Sequence, residues 1–355
     1  MSTVTYPYDE QTQSWTSTSS YPNTKLKPER TKSWEVGLDA RILNDISLNL
    51  TYYRSNTYNQ TFYADLSLSS GYSNIPIQSG NIMNEGLEMS LGYNKQWKDF
   101  SFNTNYTLTW NKNRVKRLAD GVYNYATGQP IQMPELSPLT YGHTDARLIL
   151  RVGGSMGDVY GQRLLKRDLN GYILNEEGVG LAMENKETYL GSILPKMNMG
   201  WSLGFGYKGV NLGMTFTGRF GGIVISETQS VLDAAGVSKV SADVRDAGGV
   251  QINQSKVSAQ TYYQTIQGTA AYYTYSATNV RLGELSLSYT LPKKWFDNKV
   301  GMTVGLVGKN LWMIYCKAPF DPELTTSAAS NFYQGFDAYM LPSTRNFGFN
   351  VKFQF

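Results

Sequence analysis

Apolar and polar residues alternate strictly over stretches of about ten residues, again and again along the chain. In Met197–Lys208 the odd positions are Met197, Met199, Trp201, Leu203, Phe205 and Tyr207, and the even ones are Asn198, Gly200, Ser202, Gly204, Gly206 and Lys208. A strand sends successive side chains to opposite faces, so this pattern predicts a strand with one apolar and one small or polar face. After Lys208-Gly209 a second such stretch runs from Val210 to Phe220, which makes a hairpin. The same alternation predicts strands from Ser33 to Ile42, Ile46 to Tyr52, Leu87 to Tyr93 and Phe102 to Trp110. It predicts three more at Leu285–Leu291, Val300–Leu306 and Phe347–Phe355, with a phase slip at Gly283-Glu284 that suggests a bulge.

The two faces differ in a telling way. The apolar face is rich in rings and carries no charge in these stretches, whereas the other is rich in Gly, Asn, Ser and Thr. A soluble sandwich would place abundant charge on its outer face. An aromatic-rich face paired with a wet, small-residue face suits an all-β transmembrane antiparallel barrel, with lipid outside and a polar lumen inside. Strands near ten residues match a tilted crossing of a bilayer. The links alternate as well. Leu43–Asp45, Asn94–Asp99, Lys208-Gly209 and Pro292–Asn298 are short, while Thr57–Glu85, Lys112–Lys196, Gly221–Asn279 and Asn310–Thr344 are long. Short periplasmic turns and long extracellular loops orient such a barrel, so the last strand runs toward the periplasm and ends at Phe355. The strands number nine. An odd count leaves an open edge, which is costly in lipid. The sequence therefore reads as the C-terminal portion of a larger barrel over 1–355, unless the Lys112–Lys196 segment hides a further strand.

Composition narrows the function classes. The chain has 355 residues, of which 17% are charged and 13% aromatic. No run of about 18 apolar residues occurs, which excludes a bundle of transmembrane helices. One Cys excludes a disulfide framework and a Cys-based zinc site, and one His leaves little for a His-based metal site or a Ser/His triad. A net charge of +4, spread along the chain, does not argue for nucleic acid. The first residues, MSTVTYPYDEQ, lack the basic and apolar regions of a signal peptide.

Four blocks resemble one family. They are Leu26–Leu38 (LKPERTKSWEVGL), Gly80–Glu88 (GNIMNEGLE), Asn279–Pro292 (NVRLGELSLSYTLP), and Leu341–Phe347 (LPSTRNF) running on to a terminal Phe. Together and in order they resemble the C-terminal part of SusC/RagA-type TonB-dependent outer-membrane transporters of Bacteroidota. The resemblance implies a barrel of about 22 strands with a plugged lumen, of which these are the last nine. It further implies a Gram-negative outer-membrane location, a SusD-like surface lipoprotein as lid, and import of glycans, oligosaccharides or peptides. Energy would come from the TonB complex through an N-terminal part. The plug domain, TonB box and signal peptide of the family have no counterpart in these residues. The competing functions are an enzyme or passive pore within an outer-membrane barrel, a soluble lectin-like β protein, and a truncated barrel fragment without activity. A nucleophile paired with a base, which the enzyme needs, is not visible.

Candidate residues follow. The alternation of Phe347, Phe349, Val351, Phe353 and Phe355 resembles the signal read by the barrel-assembly machinery, which an unpaired last strand can engage by β-augmentation. Loop tyrosines, above all Tyr123, Tyr125, Tyr262 and Tyr263, with Tyr272, Tyr273 and Tyr275, are candidates for stacking on a ligand or packing loops, as is His143 by contact. Gly204–Gly209 fits G-x-G-x-x-G but lies on a strand and its turn, so it reads as lumen clearance rather than a dinucleotide site. Asp168-Leu169-Asn170-Gly171 reads as a tight turn rather than a calcium loop. Ser226–Asp246 predicts a short helix stopped by Gly236, set to touch a lid or neighbouring loops. Glu35, Asp39, Arg41, Glu88, Arg219, Lys309 and Lys352 fall on the lumen side, and Cys316 reads as a small buried group. No residue is assigned to catalysis, a cofactor or a metal.

Overall fold

A computed structural model describes residues 8–9, 14–15, 26–65, 72, 74–118, 135–176, 180–324, 326 and 331–355. Its main element is a nine-stranded antiparallel sheet in which every strand pairs with its sequence neighbours. We label its strands β1 (Arg30–Ile42), β2 (Ile46–Asp65), β3 (Asn74–Trp97), β4 (Phe100–Arg117), β5 (Met197–Tyr207), β6 (Val210–Phe220), β7 (Asn279–Leu291), β8 (Gly301–Cys316) and β9 (Asn346–Gln354). The nine predicted strands are thus the nine found. Lys112–Lys196 adds none to this sheet; it folds instead into a separate four-stranded sheet of Glu135–Thr140, Arg147–Arg151, Asp158–Leu165 and Met183–Ser192. Within the described residues β1 and β9 are edge strands, exposed along nearly their whole length on both faces.

The turns are where the alternation placed them. Lys208 (44°) and Gly209 (89°) both have positive φ, the pattern that matches the right-handed twist of a two-residue hairpin, and in the three-residue turn Leu43–Asp45 both Leu43 and Asn44 have positive φ. The phase slip is a bulge. Thr215 pairs with Glu284 and Phe216 with Leu282, so Gly283 is passed over and the apolar phase is restored beyond it. One expectation is corrected. Thr57–Glu85 is mostly not loop, because the β2–β3 ladder continues from Tyr58 opposite Asn81 up to Asp65 opposite Asn74. Its apolar alternation is short, Phe62 and Ala64 on one strand and Ile75 and Ile77 on the other, and Pro76 within it argues against a strand, so the pattern did not separate this ladder from a loop.

Register makes the apolar face continuous. Leu38, Leu50, Met89, Leu108 and Met199 form one cross-strand row, and Leu212, Leu287, Leu306 and Phe349 another. These side chains are partly to largely open; Leu306 is 61% and Phe349 69% exposed. On the polar face glycines stand opposite cross-strand polar groups. A Cβ at Gly204 would lie 2.5 Å from Asn103 Oδ1, and one at Gly305 2.6 Å from Asn350 Oδ1. Each missing side chain makes room for a neighbour's amide. The rows also climb. The row through Ile42, at the turn end of β1, passes Tyr93, Leu203, Leu285 and Gly308 and meets β9 at Phe347, seven residues above Gln354. Seven residues of rise over eight strand spacings correspond to a strand tilt of roughly 30°, close to that of closed barrels.

Most of the buried core lies at and beyond the loop end of the strands, in three clusters centred on Val115 of β4 and Leu150, on Tyr141, Leu148 and Ile225, and on Leu165, Tyr263 and Tyr273, with a smaller one at Val224 and Ala277; the first reaches into the sheet through Ile82 and Val115. Connections after β4, β6 and β8 build it jointly.

Candidate functional site

The site is this loop assembly, and it is built on the polar face at the loop end of β6 and β7. Arg219 and Asn279 are direct cross-strand partners there and both are buried. Two residues on, Arg281 forms a two-pronged ion pair with Asp321, Nη1 to Oδ2 at 2.9 Å and Nη2 to Oδ1 at 2.8 Å, and Nη2 also lies 3.3 Å from Glu323 Oε2. Asn279 Nδ2 donates to Glu323 Oε1 at 3.0 Å, and its Oδ1 accepts from Arg281 Nε. The planar guanidinium suits such a fork. Burial alone would raise the Asp321 carboxyl, but the Arg281 fork and the Glu323 amide outweigh it and hold the group below the usual carboxylate range. The segment after β8 is therefore pinned onto the strand wall by charge as well as by packing. Cys316 sits beside it, half-buried, its Sγ directed to the carbonyls of Ala318 and Phe320.

Above this wall the chain forms three short helices, α1 (Glu227–Ala234), α2 (Lys239–Asp246) and α3 (Ala259–Ile266). Each is capped by a serine: Ser226 accepts from Gln229 N, Ser238 from Ser241 N and Ser258 from Thr261 N. Gly236, at φ 72°, ends the first, as the sequence indicates. Ser226 also donates to Asp337 Oδ2 at 2.5 Å, tying α1 to the segment before β9. Asp145 joins the two remaining loops. Its Oδ1 accepts from Ala270 N at 2.6 Å and its Oδ2 from Gln162 N at 3.1 Å. Tyr141 is fully buried against Phe336 and Tyr333, and its hydroxyl donates to the Phe332 carbonyl at 2.7 Å. Burial holds its phenol well above the ordinary tyrosine range.

A cleft of about 460 Å³ opens between the three helices, lined among others by Asp233, Gly236, Arg245, Gln260 and Tyr263. Asp233 is buried and accepts from Gln229 Nε2 and Ser238 Oγ, so one wall carries a fixed anion and the other an exposed guanidinium. Such a cleft offers both charge signs and amide donors to a polar ligand.

The sequence-selected residues distribute unevenly over this frame. Tyr262 and Tyr263 are on α3, edge to face at 5.3 Å; Tyr263 is buried in the cleft floor, and Tyr262 is half-buried. Tyr273 is buried with its phenol pushed up by burial, and Tyr275 is pushed up to about 12 by the same cause. His143 is an exposed turn residue, and its carbonyl lies close behind Gly268, which follows α3. Tyr123 and Tyr125 lie outside the described residues. Asp168 Oδ1 accepts from Asn170 N and Tyr172 N, which makes its loop a tight turn with Gly171 at φ 85°. Gly204–Gly209 lies on β5 and its turn, with β6 following. Phe347, Phe349, Val351, Phe353 and Phe355 share the ring-bearing face of the edge strand β9 and its last residue. Asp321 and Glu323, which no local pattern singles out, anchor the loop. Arg281 lies within the Asn279–Pro292 block, but its acidic partners follow about 40 residues later in a stretch without pattern.

Residues 3–311 match the family model described as TonB dependent receptor-like, beta-barrel. The chain belongs to this family. Among characterised members, the TonB-dependent receptor P3 of Formosa agariphila is 26% identical, over 94% of this chain and 35% of its own length. TonB-dependent receptor P26 of the same organism is 24% identical over 93% of this chain, again 35% of that receptor. The chain thus spans about a third of the receptors it matches. Among solved structures, a chain of the RagAB peptide importer in its closed-closed state superposes with a TM-score of 0.67 at 18% identity, covering 99% of this chain and 38% of that one. This family barrel therefore shares with that importer both the nine-strand arc and the loop assembly above it.

Proposed function

We propose that this chain supplies a nine-strand arc and the roof of extracellular loops in an outer-membrane, TonB-dependent importer. The ring-bearing face meets lipid and the Gly/Asn/Ser face lines the lumen. The loop assembly, pinned by Arg281 and built around the α1–α3 cleft, contributes to ligand capture together with a SusD-like surface lipoprotein. The substrate class is peptide or oligosaccharide, and the chain's part is binding and passage, not catalysis. One observation supports this reading: 99% of this chain superposes on 38% of a chain of a peptide importer. TonB coupling runs through the N-terminal part of such receptors, and the edge strand β9 serves the barrel-assembly machinery.

The test is growth and uptake. A strain lacking this protein is expected to lose growth on one defined peptide or polysaccharide while growing normally on its monomers, and to recover with the intact gene. Recovery of the protein from a soluble fraction without detergent, or unimpaired growth on every polymer tested, overturns the reading.

A further inference from the structure

The lipid-facing side changes character abruptly at its loop end. The row Val36–Tyr52–Leu87–Trp110 is apolar and aromatic; the next row toward the loops is Trp34–Arg54–Glu85–Lys112, and the one after it Lys32–Asn56–Met83–Arg114. Four cations thus stand immediately above the aromatic band with one acid among them, and that acid, Glu85, lies 3.8 Å from Lys112. At the β4 end of this band the wall opens. β5 stops at Met197 while β4 continues to Arg117, and a cleft of about 550 Å³ fills the gap between β4 and the links that enter β5 and leave β6. Lys112, Arg114 and Lys196 line it, with the hydroxyl residues Ser155 and Ser192 and the exposed ring of Tyr189. Its acid, Asp158, is taken up internally: Oδ2 accepts from Ser155 N at 2.8 Å and Oδ1 from the Tyr189 hydroxyl at 3.1 Å. The lining therefore holds three cations and one carboxylate that is already engaged.

We infer that this cleft binds the phosphate of a phosphorylated lipid headgroup from the leaflet on the loop side, with the acyl chains lying down the apolar rows beneath Trp110. Lipid is favoured as the source because Lys112 belongs at once to the cleft and to the row next above Trp110, so a bound phosphate lies at headgroup height over continuous apolar surface. Basic residues just outside an apolar span attract anionic headgroups. The inference rests on the membrane reading above, and its test separates the two.

The protein, purified in a neutral detergent, is titrated with lipid A, with lipid A stripped of its phosphates, and with inorganic phosphate, and bound lipid is read by native mass spectrometry. Lipid A is expected to bind at least about tenfold more tightly than the stripped form, and the combined K112Q/R114Q/K196Q variant to lose about tenfold or more. The charge-preserving K112R/R114K/K196R variant keeps binding, as does K239Q/K256Q/K294Q, which removes equal charge elsewhere. Raising salt from about 0.05 to about 0.5 M weakens lipid A binding to the unaltered protein, a readout independent of whether any variant folds. Equal binding of the stripped lipid, no loss in the glutamine variant, or inorganic phosphate binding as tightly as lipid A each overturns the proposal. Loss of lipid selectivity in a protein that still fractionates with membranes sinks this inference alone; a protein that needs no detergent sinks the membrane reading itself.

Discussion

Arg281 shows how much one side chain carries in this molecule. It holds Asp321 through two bonds and Glu323 through a third contact, at 11% exposure, so truncation leaves the largely buried Asp321 without its ion-pair partner. Arg281→Ala is expected to cost about 3–5 kcal/mol at the segment after β8. Limited proteolysis should then cut within Asp321–Leu324, and Arg281→Lys should rescue little, because an ammonium cannot fork. The pH dependence follows from Asp321. Its carboxyl is depressed in the folded state, so its stabilisation is fully present above the ordinary value of 3.8 and is lost as pH falls through the depressed value. Pepsin is expected to spare this segment near 3.8 and to cleave it only at clearly lower pH. At the alkaline end the sign reverses. Tyr275 is raised to about 12, so the loop core is intact below 10 and loosens as pH climbs toward 12. Spectrophotometric titration should show a late-ionising class of phenols that Tyr275→Phe reduces by one.

At the scale of elements, the β4–β5 pair tests why the polar face is rich in glycine. A Cβ at Gly204 meets Asn103 Oδ1 at 2.5 Å and Nδ2 at 2.6 Å, so Gly204→Ala is expected to cost about 1–3 kcal/mol. Adding Asn103→Ala removes the obstacle, and the double variant should regain most of the loss in urea unfolding from detergent micelles. Equal losses in single and double variants would mean that the glycine serves backbone freedom rather than space. The strands themselves were legible because alternation, turn residues and the Gly283 slip are local signals. The helix at Glu227–Ala234 was legible for the same reason, through its spacing and Gly236, whereas the second helix of the same stretch, Lys239–Asp246, was not. Nor was α3: Ala259–Ile266 reads AQTYYQTI, whose rings fitted ligand contact and loop packing alike, and only tertiary packing buries Tyr263.

For the molecule as a whole, the decisive asymmetry is between the two faces of the nine-stranded sheet. A charge on the apolar face must enter hydrocarbon, whereas the polar face meets water. Leu306→Arg is expected to lower folding stability in vesicles by about 2–4 kcal/mol, and Ser202→Arg by far less, as read by equilibrium unfolding from lipid bilayers. Similar costs on both faces would sink the membrane assignment. The buried core at the loop end makes a further point. The sheet supplies a wall whose partners are solvent-like media on both sides, while the loops behave as a globular unit with its own clusters of Leu, Ile and Tyr.

The chain's own order of residues determined the strands, their phase and the hairpin turns, because side-chain alternation and turn sterics act between residues a few positions apart. It also determined which face is greasy, since a one-residue slip would invert every position. Tertiary structure alone decided the rest. The extension of β2 and β3, the climb of the rows from Ile42 to Phe347, the Arg281–Asp321 clamp and the meeting of Tyr141 with Phe336 involve residues from about 10 to about 300 positions apart. Such partners are chosen by the geometry of the assembled wall, which no local pattern encodes.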